Sequence, residues 1–463
     1  MLRSFQKLLC LLILVAGLHQ GRAFTLYGQF DNWQLPETGF GFGEAGGSKI
    51  HGEEFRLNTP TLTYGFDQSF LTFFGEQGIR AVDQAFAILN RIPPTGKMSS
   101  NLTEFLTDDA QRTLPLAEAL NLRDLKSATL GLLLEHMGLA GEEHVFDLRK
   151  RVPFPGSCQF FYQVELRNFD PVPNVLNPPL TRFVNGTLYG YEIDDSCPVA
   201  IAFASEVLVD PTDFPFNAVA SFKGGIRYEG LRLGGYYIGI TRDDAGGLRY
   251  MYRRDNYNWL ESLPPEARVI PFSGPFQPIE FPSTNNASTN NAANRGGVQK
   301  ITYRKKQIFG GFFKPFVQTY KSPVRTNDFD GDFVTLNQTV RRAVFQPDII
   351  FTASDLNNLP GANPSIAPSY AARSIAFVTN GTPIFAPQRP ESVGPGIILP
   401  QTLITFHKSV PSFFNQTDFF LNDITAEPGF FWASFDGTTN APIIYPQGTT
   451  LRAIEQMVLR PTP

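Results

Sequence analysis

Apolar positions along the chain change their spacing from one segment to the next, and those changes outline its elements. Leu62-Thr-Tyr-Gly-Phe66, set just after Pro60, has the aromatic, short-range pattern of a strand. Asp67-Gln-Ser69 reads as a turn, and Phe70, Leu71, Phe73 and Phe74 form an apolar cluster that ends at Gly75. From Gly78 the spacing becomes helical. Ile79, Val82, Phe86 and Leu89 share one face, and Arg80, Asp83 and Gln84 share the other. This predicts a helix through Ile92, stopped by Pro93-Pro94. A second helix is expected over Asp108–Leu120, with Pro115 near its start. A third, Arg123–Met137, is apolar nearly all round and therefore buried, with Gly138 as its C-terminal cap.

Beyond this helix the pattern turns to strands. Residues 158–169 read as a strand of β-branched and aromatic type, and Asn185-Gly186 between two apolar runs signals a hairpin. Val199–Val209 fits a strand or a helix. Thr241 precedes Asp243 and Asp244, which predicts a capped helix with acids at the positive end of its dipole, although Gly246-Gly247 weakens the pattern. Residues 264–297 are Pro-rich, then Asn- and Ser-rich, a composition that cannot bury a core. From Val298 onward short strands recur between Gly, Pro and Asn: 308–313, 340–351, 374–378, 397–406 and 430–435. Thr449–Leu459 is a closing helix or strand. The expected class is α+β, with an N-terminal domain at 24–263, a linker at 264–297 and a β-rich, sandwich-like domain at 298–463.

Composition adds limits. The 463 residues include 43 Phe, enough aromatic material for a sizeable core. A net charge of −4, with 18% charged residues, lacks the clustered basic excess of a dedicated nucleic-acid binder. Arg3 and Lys7, the apolar run Leu8–Leu18 and Gly21-Arg-Ala23 form a signal-peptide pattern over residues 1–23. No later stretch is apolar enough for a transmembrane segment. Export to the periplasm, cell surface or extracellular space is expected. In an oxidising compartment Cys158 and Cys197 would pair, with buried free thiols as the alternative.

Candidate chemistry is sparse. Asp328, Asp330 and Asp332 flank Gly331 at alternate positions, which suits calcium, although the distal glutamate of an EF-hand loop is missing, and an acidic surface turn is the plainer reading. His136 and His144, with His51 as a third ligand, would be the only basis for a transition metal. Read plainly, they are a helix-end histidine and two loop histidines. Lys300, Arg304, Lys305, Lys306, Lys314, Lys321 and Arg325, interleaved with Tyr303, Phe309, Phe312 and Phe313, form either the solvated side of strands or a surface for a polyanion or sugar. There is no nucleophile elbow, P-loop or dinucleotide fingerprint.

Three stretches in order carry a resemblance. Leu62–Asp67 with Ala81–Phe86, Leu125–Leu139, and Ile240–Tyr252 resemble the first strand and helix, the active-site helix and the final helix of matrixin-type metzincin proteases. The resemblance implies an α/β/α domain over roughly 60–255 with the buried helix at its centre. Matched on Gly138-Leu139, the positions of the family's zinc ligands and general base hold Gly131, Leu132, Glu135 and Gly141. The resemblance therefore implies a pseudoenzyme, a scaffold without its chemistry. Tyr64–Leu71, Arg167–Pro171 and Gln346–Phe351 are also similar to a set of secreted bacterial proteins with no assigned activity. Together these readings lead to a secreted, non-catalytic surface or envelope protein whose partner is a cell-surface polymer or envelope protein. The alternatives are an exported metal-dependent hydrolase with relocated ligands and a carbohydrate-binding module.

Overall fold

The computed structural model describes residues 24–29, 45–107, 110–140, 145–195, 202–212, 219, 231–270, 293–306, 308–309, 312–328, 330–354, 370–371, 377–379, 382–383, 396–398, 402–408 and 430–458. The principal elements in chain order are β1 (Thr61–Phe66), α1 (Gln68–Arg91), α2 (Pro115–Ala119), α3 (Leu125–His136), β2 (Phe146–Pro153), β3 (Phe160–Leu166), β4 (Thr187–Asp195), β5 (Ala202–Leu208), α4 (Arg242–Tyr252), β6 (Asn258–Glu261), β7 (Ala267–Ile270), β8 (Ala293–Arg295), β9 (Thr302–Lys305), β10 (Phe316–Asn327), β11 (Phe333–Val344), β12 (Ile349–Ser354), β13 (Tyr370–Ala371), β14 (Thr402–His407), β15 (Phe431–Ser434) and α5 (Leu451–Val458). The class is mixed α+β and β-rich.

The central sheet has the order β9-β1-β12-β14-β13. Its first four strands are parallel, and β13 closes the edge antiparallel. β1 thus lies between two strands that follow it by more than two hundred residues, pairing Thr61–Tyr64 with Thr302–Lys305 and Tyr64–Phe66 with Ile349–Phe351. This corrects the expected division into an N-terminal and a C-terminal domain. A parallel strand as apolar as β1 must be paired and covered on both faces, and its neighbours come from beyond residue 297. The expected linker is corrected too. Its ends form β7 and β8, which join a second, antiparallel sheet of order β6-β8-β10-β11-β7. Residues 271–292 lie outside the described residues. Composition marked a polar insertion there, and the sheets cross it.

Helix α1 begins ten residues before the expected Gly78. The Asp67 carboxylate caps it by accepting from the Phe70 amide at 2.9 Å. Phe70 and Phe74, one turn apart, are both buried, and Gly75 then breaks the helical geometry with φ +59°. The aromatic cluster is the helix's first turn, packed on the sheet, rather than a loop. The expected helix at 108–120 is shorter. Gln111–Thr113 is extended and only Pro115–Ala119 is helical, because Pro115 cannot donate into a preceding turn. The single strand expected over 340–351 is two, separated at 345–348. Val199–Val209 resolves to strand β5 against β4, and the Asn185-Gly186 hairpin is present with both residues at positive φ. Thr449–Leu459 resolves to helix α5.

Helix α3 is buried along its whole length. Asp124 caps it, accepting from the Ser127 amide at 3.0 Å. Burial raises the Asp124 carboxyl above its ordinary range, against the pull of Lys126 and the Ser127 bonds. At the other end Gly138 has φ +103°. Its amide donates to the Glu135 carbonyl, and the Leu139 amide to that of Leu134, which is a Schellman closure. Helix α4 crosses beside this end. The Tyr252 hydroxyl donates to the Met137 carbonyl at 2.6 Å. The two glycines that weakened the prediction of α4 have a packing cause. A Cβ on Gly247 would sit 2.4 Å from a Leu139 methyl, and one on Gly246 would sit 2.5 Å from the Pro171 ring. The Thr241–Asp244 capping box is complete.

Candidate functional site

Of the positions singled out by the metzincin resemblance, the three on α3 lie inside the molecule. Gly131, Leu132 and Glu135 face neighbouring side chains along α3, and all are buried. Gly141 and His144 lie outside the described residues. His136 is fully buried, with its Nε2 at 2.9 Å from the Thr402 hydroxyl on β14. Burial alone pushes the imidazole down to about 4. It is therefore neutral at neutral pH and serves as a polar tie between α3 and the central sheet.

A pH dependence follows. An unfolded imidazole takes up its proton near pH 6.5, while the folded one resists until about pH 4. The unfolded state binds more protons in that window, so stability falls as pH drops through it. Compared with His136→Gln, the native protein is expected to lose about 3 kcal/mol between pH 6.5 and 4, read as a steeper fall in urea midpoint. Parallel pH profiles for the two proteins would show that the histidine is not neutral in the fold.

The acidic triplet closes the β10–β11 hairpin. Asp328, Asp330 and Asp332 are all exposed. The Asp328 Oδ1 accepts from the amides of Asp330 (3.0 Å) and Asp332 (2.8 Å), which closes the turn. Among the described residues no group of three or more His, Cys, Asp or Glu side chains is placed to hold a metal ion. His51 lies edge-on to the Phe169 ring, with centroids 5.7 Å apart. Cys158 sits exposed at the tip of the β2–β3 hairpin, and Cys197 lies outside the described residues. Asp195, two residues before Cys197, is bonded to Arg151 and Tyr162 of that same hairpin, the neighbourhood the pairing would need.

The basic stretch divides into two groups. Lys300 donates to the Asn90 carbonyl and Lys305 pairs with Asp83, both at 2.7–2.8 Å, so these two fasten β9 to α1. Lys306 lies over the Phe316 ring. Lys321 and Arg325 instead stand on the outer face of the second sheet.

Two buried ionic clusters had no counterpart in the expectations. Arg56 donates to the Glu261 carboxylate (2.8 and 3.2 Å) and to the carbonyls of Met251, Asn256 and Arg295, which uses its whole fork. Asp348 accepts from the Thr63 amide (2.7 Å) and hydroxyl (2.9 Å) and from both terminal nitrogens of Arg342. Arg342 also pairs with Glu266. This second cluster joins β1, β7, β11 and β12, with Arg342 and Asp348 sealed from solvent and Glu266 partly exposed. One sequence signal pointed to them: Val340, Arg342 and Val344 alternate, which puts the arginine on the inward face. An apolar cleft lined by Leu89, Ile92, Met98, Met137, Leu248 and Tyr252 has no carboxylate, imidazole or thiol in its wall. No described helix is long and apolar enough to cross a membrane.

With this geometry in hand, the chain was compared with protein-family models, curated proteins and solved structures, and no match was found in any of the three.

Proposed function

We propose that the protein is an exported, non-catalytic surface or envelope protein that acts by binding, built on a degenerate metzincin-like scaffold. One observation carries the reading. The helix on which a metzincin presents its zinc ligands to substrate is here packed on every side, with Gly131 and Leu132 at two of the chemical positions. A zinc protease needs an open coordination position reached by solvent and substrate. Glu135 and His136, the two side chains of α3 with ligand chemistry, are 1% and 0% exposed. The lineage draws support from packing. The three stretches that carry the resemblance meet in one core, where Leu125 approaches α1 at Gly78 and Met251 of α4 approaches Gly138.

Elemental analysis of the purified protein tests the reading, together with an assay on an unstructured protein substrate. The expected result is zinc well below one equivalent and no hydrolysis. Stoichiometric zinc with hydrolysis would establish the relocated-ligand hydrolase instead.

A further inference from the structure

The second sheet is asymmetric. Its inner face carries Arg342, Val340, Val324 and Ser322, all buried against the rest of the fold. Its outer face is built from the alternate positions and is open to solvent. There β11 runs between β10 and β7, and the ladder register fixes which side chains stand in a row.

Four successive rows carry or adjoin a cation beside a hydroxyl or amide, with Ile270 at the edge of the second, and the next row outward, Val317 opposite Ala343, is apolar. Arg268, Arg341 and Thr319 form the first row, and Thr339 and Lys321 stand in the second. Asn337 follows, bonded by Arg254 at 2.7 Å. Thr335 and Arg325 make the fourth, with the Tyr257 hydroxyl 2.8 Å from that of Thr335. Rows two residues apart repeat at about 6.8 Å. Phe333 ends the face, 60% exposed, with the Arg325 guanidinium 4.0 Å above its ring.

None of these five cations has a carboxylate partner among the described residues, although the chain is net negative. Arg268 and Arg341 stand directly opposite each other across the ladder, an arrangement of like charges that costs stability unless an anion lies between them. Four of the five are arginines, whose planar forks match carboxylates two bonds at a time. Carboxylates spaced along a chain, with hydroxyls between them, complement rows that alternate cation and hydroxyl. A phosphate backbone would engage the same arginine forks but gives the duplex no hydroxyls to meet the intervening Thr and Asn side chains, and a chain of net charge −4 disfavours so dense a polyanion. Base stacking would also require the Phe333 ring that Arg325 already covers.

We propose that this face binds a carboxylated polysaccharide, a linear polymer of uronate-type sugars lying along the β10–β11 ladder. The inference rests on the reading of the protein as a binder of a cell-surface polymer and names the polymer's class and its site.

The test is affinity electrophoresis and calorimetry of the full chain against alginate, neutral dextran and duplex DNA, over a salt series. The expected result is alginate binding that weakens with salt, no dextran binding, and weaker binding of DNA. Arg268→Ala/Arg325→Ala/Arg341→Ala is expected to lower alginate affinity at least tenfold with a thermal midpoint no lower than the native one, since all three side chains stand on the outer face and the opposition of Arg268 and Arg341 is relieved. Phe333→Ala is expected to weaken it several-fold. No alginate binding, affinity unmoved by the triple variant, or equal binding of DNA through the same residues would overturn the proposal. Reducing ends released from bound alginate would overturn the non-catalytic reading and leave the site in place. Absence of binding in a protein also free of zinc would remove the site alone.

Discussion

Asp348→Ala is expected to lower the stability of the protein by about 3–5 kcal/mol, measured as a fall in urea midpoint at unchanged slope. The side chain is 1% exposed and accepts four hydrogen bonds, two from Thr63 on β1 and two from Arg342 on β11. Burial alone would pull the Arg342 guanidinium down. Its bonds to Asp348 and the charges of Asp348 and Glu266 hold it above its ordinary value. Deleting the carboxylate leaves that cation buried with Glu266 as its remaining partner and strips the Thr63 amide of its acceptor. The cost belongs to the orphaned charge, so a second change should recover much of it. Asp348→Leu/Arg342→Met removes both charges and is expected to regain more than half of the loss. If the double variant is as unstable as the single one, the carboxylate holds the strands by its hydrogen bonds to Thr63 alone.

That cluster explains what the chain disclosed about itself and what it withheld. Local elements were legible wherever one periodicity ruled: the apolar wheel of α3, the Asn185-Gly186 turn, the Thr241 cap. Each depends on residues within one or two turns of one another. The pairing of β1 with β9 and β12 was not legible, because no local pattern states which distant strand completes a sheet. The Pro-rich, then Asn- and Ser-rich segment at 264–297 suggested a domain boundary, although segments on both sides of it enter the same two sheets. Burial of charge was hidden for the same reason. Asp348 lies within the strand expected over 340–351, and nothing local marks it as a buried charge until Thr63 and Arg342 are placed around it. The outer sheet face was half legible. Lys321 and Arg325 stood out as part of a basic run, but Arg268 and Arg341 join them only through ladder register, and Arg254 only through its bond to Asn337.

The candidate chemistry shows the opposite balance. Motif spacing assigned Gly131 and Glu135 to ligand positions and Leu132 to the general base's, and the structure adds that all three are buried. Glycines that looked like helix breakers in α4 are the points of closest approach to Leu139 and Pro171, which spacing alone does not reveal. The acids at the start of α4 were expected to serve its dipole. They also hold neighbouring chain: Asp243 accepts from the Asn185 amide at 2.5 Å and Asp244 from the Val219 amide at 3.0 Å.

Phe351→Ala is expected to cost about 3–5 kcal/mol and, more tellingly, to loosen both halves of the sequence together. The ring is fully buried and lies within 6.5 Å, centroid to centroid, of Tyr64, Phe66, Phe70, Phe86 and Phe406. Four of these come from β1 and α1, before residue 92, and the fifth from β14. Removing the ring opens a cavity that α1 and the central sheet share, and a shared cavity couples them. Amide exchange of α1, of β1 and of Ile404–Phe406 should therefore accelerate by a common factor under conditions where exchange follows global opening. Urea unfolding should remain a single transition. Autonomous domains divided at 264–297 would behave otherwise: the substitution in β12 would speed exchange in β12 and β14 and leave the protection of α1 untouched. The comparison separates the two organisations without requiring either half to fold alone.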